Sequence, residues 1–312
     1  MPADRFSLEV WQGRIDPEPD SPRWHQRIRP LAEARQPGLV LLGFACDEGV
    51  RRNHGRVGAA GGPLVLRKAL ANLAWHRSAE VFDAGDVVCA DGDLEAAQAR
   101  LSDNVRDLLN AGHQVMVLGG GHEVAFGSWS GLAGHMENQT STPRIGIVNF
   151  DAHFDLRDPV NVHSSGTPFA QIAEQCAARA WPFRYACLGI SRASNTRALF
   201  ARAAELGVLV REDREISEST LASIAAELEG FAADCDVIHL SFDIDVLPAC
   251  EAPGVSAPAA RGVRLELLEP LLERLKASGK IRLVDFAELN PEYDIDNRTA
   301  RAAARLIHLL SL

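Results

Sequence analysis

From Gly38 onward, short apolar runs rich in β-branched residues alternate with segments of helical periodicity, and this alternation constrains the fold more than any other feature. The runs occupy residues 39–44, 81–85, 114–118, 144–150, 185–190, 207–210, 236–242 and 280–286, and read as strands. Helical patterns cover 64–73, 94–110, 168–179, 195–206, 221–229, 265–277 and 297–310. Several strands are continuously apolar rather than alternating, as expected where both faces of a parallel sheet are covered. The pattern therefore calls for an α/β chain with a mainly parallel sheet. A closed barrel of eight strand–helix units fits the same periodicity, which does not separate the two. No linker, low-complexity tract or internal repeat interrupts the series, so a single domain over 1–312 is the expectation. Residues 1–37 are polar and proline-rich and carry Trp11 and Trp24. They read as an irregular arm that docks on the chain or on a neighbouring subunit.

Composition narrows the class of partner. A chain of 312 residues that is 46% hydrophobic and 24% charged can bury a large core. Its formal charge of −10 argues against nucleic acid and anionic membrane surfaces. The six cysteines are scattered, with no C-x-x-C pair, which reads as reduced thiols in a reducing compartment. Residues 1–5 open neither a signal nor a transit peptide, and no apolar run approaches the roughly 20 residues of a spanning helix. A soluble, cytoplasmic protein is expected.

The chemistry lies where strands end. The run 114–118 leads into Gly119-Gly-Gly-His122-Glu123, the run 144–150 into Asp151-Ala-His153-Phe-Asp155, and the run 236–242 into Asp243-Ile-Asp245. Open α/β sheets bind their ligands beyond these carboxyl ends. Singly, each stretch reads equally well as a turn or helix cap, since Asp and Gly are common there. Together they bring four Asp and two His to one rim, enough for two metal ions if some carboxylates bridge. An oxygen-rich set with two imidazoles and no thiolate suits Mn²⁺ better than a structural Zn²⁺ site. Four carboxylates and two divalent ions also balance in charge. Such a centre can hold a bridging hydroxide at neutral pH, a nucleophile suited to a cationic amidine or guanidine. Other motifs fail. The glycine cluster at 55–62 lacks the P-loop ending and the G-x-G-x-x-G spacing, position 126 is Phe rather than the second His of H-E-x-x-H, and no G-x-S-x-G is present.

These residues resemble the ureohydrolases, the arginase and agmatinase superfamily of binuclear manganese enzymes. The motifs are Gly120-Gly-His122, Asp151-Ala-His-Phe-Asp155, Ser241-Phe-Asp-Ile-Asp-Val-Leu-Pro248, Ala252-Pro-Gly-Val-Ser-Ala-Pro258 and Glu288-Leu-Asn-Pro291, in family order over about 38–312. The resemblance implies a three-layer α/β/α fold around an eight-stranded parallel sheet and two Mn²⁺ per subunit. It implies that His122, Asp151, Asp155 and Asp243 hold one ion and Asp151, His153, Asp243 and Asp245 the other, with Asp151 and Asp243 bridging. Asp155 would carry a proton to the leaving nitrogen, and Glu288 would pair with the amidine-type group of a small-molecule substrate. A homo-oligomer is also expected.

Within the superfamily, arginase and agmatinase have a His where this chain has Ser165, next to Gly166; His163 nearby is expected to make a loop hydrogen bond. Trp11-Gln-Gly-Arg14, Trp24-His-Gln26, Gly121-His-Glu-Val-Ala-Phe-Gly127, Ser164-Ser-Gly-Thr-Pro-Phe169 and Gly189-Ile-Ser-Arg-Ala-Ser-Asn195 are similar to the branch that hydrolyses N-formimidoyl-L-glutamate in histidine degradation. That substrate carries two carboxylates, so a partner Arg is wanted, and Arg157 and Arg192 are the candidates. The alternatives are another ureohydrolase, such as a guanidino-acid hydrolase or agmatinase, and a metal-binding paralogue with a scaffolding role.

Overall fold

A computed structural model describes residues 9–160 and 162–311, so the reading of residues 1–5 falls outside the described residues. The strands are β1 Arg29–Pro30, β2 Leu39–Ala45, β3 Val81–Val88, β4 Gln114–Leu118, β5 Ile145–Phe150, β6 Arg184–Ile190, β7 Leu209–Glu212, β8 Val237–Asp243 and β9 Ile281–Ala287. They form one sheet in the order β1-β3-β2-β4-β9-β8-β5-β6-β7, and each neighbouring pair is parallel. The sheet is open, so the barrel alternative fails. Eight strands coincide with the sequence runs. The ninth, β1, is a two-residue edge strand contributed by the arm, which is therefore less irregular than expected.

The α-helices are α1 Trp24–Arg27, α2 Glu48–Arg52, α3 Gly62–Ala71, α4 Leu94–Asn110, α5 Val124–Glu137, α6 Pro168–Ala178, α7 Arg197–Glu205, α8 Leu221–Ala233, α9 Leu265–Ala277 and α10 Arg298–Ser311. Helices α3, α8, α9 and α10 bury apolar residues in one core, and α4, α5, α6 and α7 in another. The period of two along a strand divides each apolar run between them. In β2, Leu39 and Leu41 enter the first core, and Val40, Leu42 and Phe44 the second. The arm is held by its tryptophans on its own chain. Trp11 Nε1 donates to Asp83 Oδ2 at 2.7 Å, and Trp24 meets Trp75 edge-on with centroids 5.4 Å apart.

The order of the sheet places the chemistry. Strands β4, β9, β8 and β5 are consecutive neighbours, although β5 follows β4 in the chain. Their carboxyl ends carry Gly119–Glu123, Glu288, Asp243–Asp245 and Asp151–Asp155, so segments far apart in sequence share one rim.

Helix α5 has no counterpart in the sequence reading. Gly127, Gly131 and Gly134 weaken its helical signal, since glycine costs about 1 kcal/mol relative to Ala in a helix. The contact with α4 accounts for the central one. A Cβ on Gly131 would lie 2.6 Å from the Ser102 carbonyl oxygen and 2.6 Å from Val105 Cβ. Gly131→Ala should therefore destabilise the protein by about 1–3 kcal/mol through overpacking, the reverse of its effect in an open helix. Urea unfolding reads the result, and an unchanged or higher midpoint would contradict the close approach of α4 and α5.

Candidate metal centre

Two groups of ligand atoms lie at the shared rim: His122, Asp151, Asp155 and Asp243, and Asp151, His153 and Asp245. In each group the ligand atoms are within 4.8 Å of one another, and Asp151 belongs to both. His122 Nδ1 is 3.1 Å from Asp151 Oδ2, 2.8 Å from Asp155 Oδ2 and 3.3 Å from Asp243 Oδ2. His153 Nδ1 is 3.0 Å from Asp245 Oδ2 and 3.5 Å from Asp151 Oδ1. Asp243 joins the first group, and its Oδ1 accepts the Asp245 N–H at 2.8 Å.

The hydrogen bonds beneath this layer fit the residues to a cation. Ser241 Oγ donates to Asp285 Oδ1 at 2.5 Å, so it is an acceptor toward His122 Nε2, 3.0 Å away. His122 therefore carries its ring proton on Nε2, and its buried Nδ1, which has no hydrogen-bond partner, presents a lone pair. A bare ring nitrogen facing three carboxylates repels them unless a positive charge sits among the four groups. The same field governs titration without metal. Burial opposes charge on both imidazoles, but the adjoining carboxylates outweigh it and hold both pKa values well above the usual histidine range. Burial, then the Asp151 charge, raises the Asp155 pKa, while burial followed by Asp245 and Asp151 raises that of Asp243 more strongly. Asp151 itself lies below the carboxylate range despite its burial, because without metal both imidazoles are protonated and bond to it.

A pocket of about 280 Å³ opens over these ligands, enough for a small molecule. Glu288, Arg157, Ser165, Asn53, His54 and Ser256 are among its lining residues. Glu288 Oε1 accepts the His122 backbone N–H at 3.0 Å, whereas its buried Oε2 has no hydrogen-bond partner. Burial, then the nearby Glu123, pushes the Glu288 carboxyl up to about 8. Arg157 is exposed, and among the described residues its guanidinium makes no ion pair or hydrogen bond. Ser165 Oγ accepts from Asn53 Nδ2 at 3.2 Å. A larger hollow of about 700 Å³ lies beside the arm between Asp16 and Arg77, and its lining holds none of the clustered ligands.

Most of the residues singled out from sequence meet here, with two exceptions. Arg192 is outside the pocket lining; its Nε lies 3.0 and 3.1 Å from the two Glu212 carboxylate oxygens, and its guanidinium sits over the Phe200 ring. His163 also lies outside, with its Nδ1 3.4 Å from Glu95. The sequence reading missed the supporting residues. Asn149 Nδ2 donates to Asp151 Oδ2 at 3.0 Å, and Asn195 holds the Asp151–Asp155 loop by accepting the Phe154 N–H and donating to the Ala152 carbonyl. His239 Nε2 and Asp285 Oδ2 are 2.6 Å apart, fully buried beneath Ser241. Their signal was legible: Asn149, His239, Ser241 and Asp285 are polar residues inside otherwise apolar strands.

Ser241→Ala should weaken binding of divalent metal by about 10–100-fold, because it frees the His122 ring and removes a donor from Asp285. Calorimetric titration of Mn²⁺ into metal-free protein measures this, and an unchanged affinity would rule out the orienting role.

A model of the arginase family matches residues 37–312. The chain is 57% identical to the formimidoylglutamase of Aeromonas salmonicida (strain A449) over 99% of both chains. It is 51% identical to that of Chromobacterium violaceum over 97% of both. Among solved structures, Trypanosoma cruzi formiminoglutamase with Mn²⁺ superposes with a TM-score of 0.81 at 25% identity, over 94% of this chain and 98% of that one. Formimidoylglutamase from Bacillus subtilis shares the fold at a TM-score of 0.84 and 22% identity, over 96% of this chain and 94% of that one. The chain belongs to the arginase family.

Proposed function

We propose that this chain hydrolyses N-formimidoyl-L-glutamate to L-glutamate and formamide, a step of histidine degradation, with two Mn²⁺ ions at the clustered ligands. The observation that carries the reading is one pocket that holds, beside the candidate ligands, Glu288 Oε2 and the Arg157 guanidinium, both without partners among the described residues. The substrate has a cationic amidine at one end and carboxylates at the other, which those two groups complement. Relatives bearing the corresponding name match nearly the whole chain, which supports the same substrate.

His122, Asp151, Asp155 and Asp243 would hold one ion, and Asp151, His153, Asp243 and Asp245 the other. Asp151 belongs to both clusters, and Asp243 would be the second bridge, with Oδ2 in the first cluster and Oδ1 on the Asp245 side. Two such ions would supply a hydroxide nucleophile at neutral pH and charge stabilisation at the amidine carbon. The remaining tasks fall to the protein. Glu288 accepts an N–H of the amidinium on Oε2, and the arriving cation draws its raised pKa down, so the carboxylate form is present when needed. Arg157 pairs with a substrate carboxylate, in the bidentate geometry that its planar fork favours. Asp155, whose proton affinity is raised by burial and by Asp151, carries the proton to the glutamate nitrogen as the C–N bond breaks. Water adds across that bond, the oxygen leaving in formamide and the protons on the two nitrogens.

Ser165 stands where arginase and agmatinase have His, and its hydroxyl is tied to Asn53, so no imidazole relay operates at that position. A single-domain organisation, a cytoplasmic location and a homo-oligomeric state belong to the same reading. All six cysteines are free thiols, and no helix among the described residues is long and apolar enough to cross a membrane, which is compatible with that location.

Dialysis against a chelator should abolish turnover of N-formimidoyl-L-glutamate, and defined Mn²⁺ should restore it; full activity of metal-free protein would sink the mechanism. Agmatine and arginine, offered in parallel, should be poor substrates. Arg157→Leu should raise KM for the dicarboxylate by about tenfold or more, the size of a hydrogen bond between charged partners. An unchanged KM would remove Arg157 as the clamp.

A further inference from the structure

His54 occupies a backbone position that favours glycine. It follows α2, with its N–H donating to the Arg51 carbonyl at 3.0 Å and that of Gly55 to the Val50 carbonyl at 2.9 Å. This is the helix stop whose first residue beyond the cap turns left-handed, and His54 takes φ +60° there. Among the described residues, seven other than glycine have positive φ, and three of them line the pocket: His54, Asp155 and Glu288. The other two are the candidate proton carrier and the candidate amidine partner. A side chain retained at such a position, where glycine would be unstrained, points to a function in the pocket.

The turn is also fixed from both sides. Asn53 Nδ2 donates to Ser165 Oγ at 3.2 Å, and the Arg56 N–H donates to Ser256 Oγ at 2.9 Å. Gly55 lies so close that a Cβ there would be 2.5 Å from Ser256 Oγ. The His54 imidazole itself makes no hydrogen bond or ion pair among the described residues, and His54 is exposed at the pocket. Of the lining side chains able to carry positive charge, His122 and His153 face the carboxylate clusters, which leaves Arg157 and His54. A substrate with two carboxylates needs a second anchor besides Arg157.

We propose that His54 is that anchor and determines specificity for a dicarboxylate. Its imidazole donates an N–H to the side-chain carboxylate of the substrate, while Arg157, two residues beyond Asp155, holds the carboxylate nearer the reacting carbon. The inference rests on the substrate reading given above.

The test compares wild type, His54→Gly and His54→Asn on N-formimidoyl-L-glutamate and on N-formimidoylglycine, which lacks the side-chain carboxylate, at saturating Mn²⁺. His54→Gly should raise KM for the dicarboxylate about tenfold and move that of the monocarboxylate by less than about twofold, as loss of one hydrogen bond to a charged group requires. Its melting temperature should equal or exceed that of wild type, because glycine adopts this backbone without strain. His54→Asn keeps an N–H donor and tolerates the left-handed region, and should recover part of the affinity. An active wild type whose dicarboxylate KM is unchanged in His54→Gly overturns this inference alone. So does equal weakening of both substrates, or a melting temperature well below wild type, since His54 would then be a structural cap. Turnover of neither amidine by wild type overturns the substrate reading, and this inference with it.

Discussion

Repulsion among the carboxylates of Asp151, Asp155, Asp243 and Asp245 is the constraint on which the rest of the site depends. Asp151 is fully buried and Asp243 is 2% exposed, yet no Lys or Arg forms an ion pair with any of the four among the described residues. Uncompensated charge at such depth costs several kcal/mol per ion, so the cluster requires positive charge among its groups, from bound cations or from protons. That requirement explains the polar layer beneath. The line from His122 through Ser241 and Asp285 to His239 leaves the outward ring nitrogen bare, and Asn149 orients Asp151 from below. The bonds from Asp285 to Ser241 and His239 join the neighbouring parallel strands β9 and β8, whose spacing is set by the sheet and not by the ligands.

The backbone carries a second cost at the same place. Asp155 has φ +49° and Glu288 φ +67°, conformations that cost about 1–3 kcal/mol for residues other than glycine. Both are held by their surroundings. The Glu288 N–H donates to the Gly120 carbonyl at 2.8 Å while its carboxylate accepts the His122 N–H, so the ends of β4 and β9 are clasped twice. Gly120 permits that clasp, because a Cβ there would fall 1.7 Å from the Cys46 carbonyl oxygen. The glycine run before His122 thus serves close backbone approach across three adjacent strands.

Much of this was legible in the chain. The apolar runs at 39–44, 114–118, 144–150, 236–242 and 280–286 coincide with central strands because burial on both faces demands continuous apolar sequence. Helix α4 was equally plain, since Leu94, Leu101, Val105 and Leu108 repeat on one buried face. Where local signal and tertiary demand diverge, the sequence is silent. In α5 the contact with α4 requires glycines that obscure helical propensity, and α2 is too short to show periodicity. Strand β1 has two residues and exists only because the arm is pinned by Trp11 and Trp24.

The sequence by itself determined the α/β class, the identities of the candidate ligand residues and their positions just past strand ends. These are local properties: a strand's period, and the chemistry of the side chains that follow it. Tertiary structure decided which of those ends are neighbours, because β9 and β8 enter the sheet between β4 and β5, and nothing in chain order reveals that insertion. It also separated Arg157 from Arg192. Both lie beyond the carboxyl ends of strands, but Glu212, on β7 next to β6, captures Arg192, while Arg157 stands at the pocket without an ion pair among the described residues. His54 belongs wholly to this second category. Its side chain looks like any loop histidine until the left-handed turn and the pocket beside it are known.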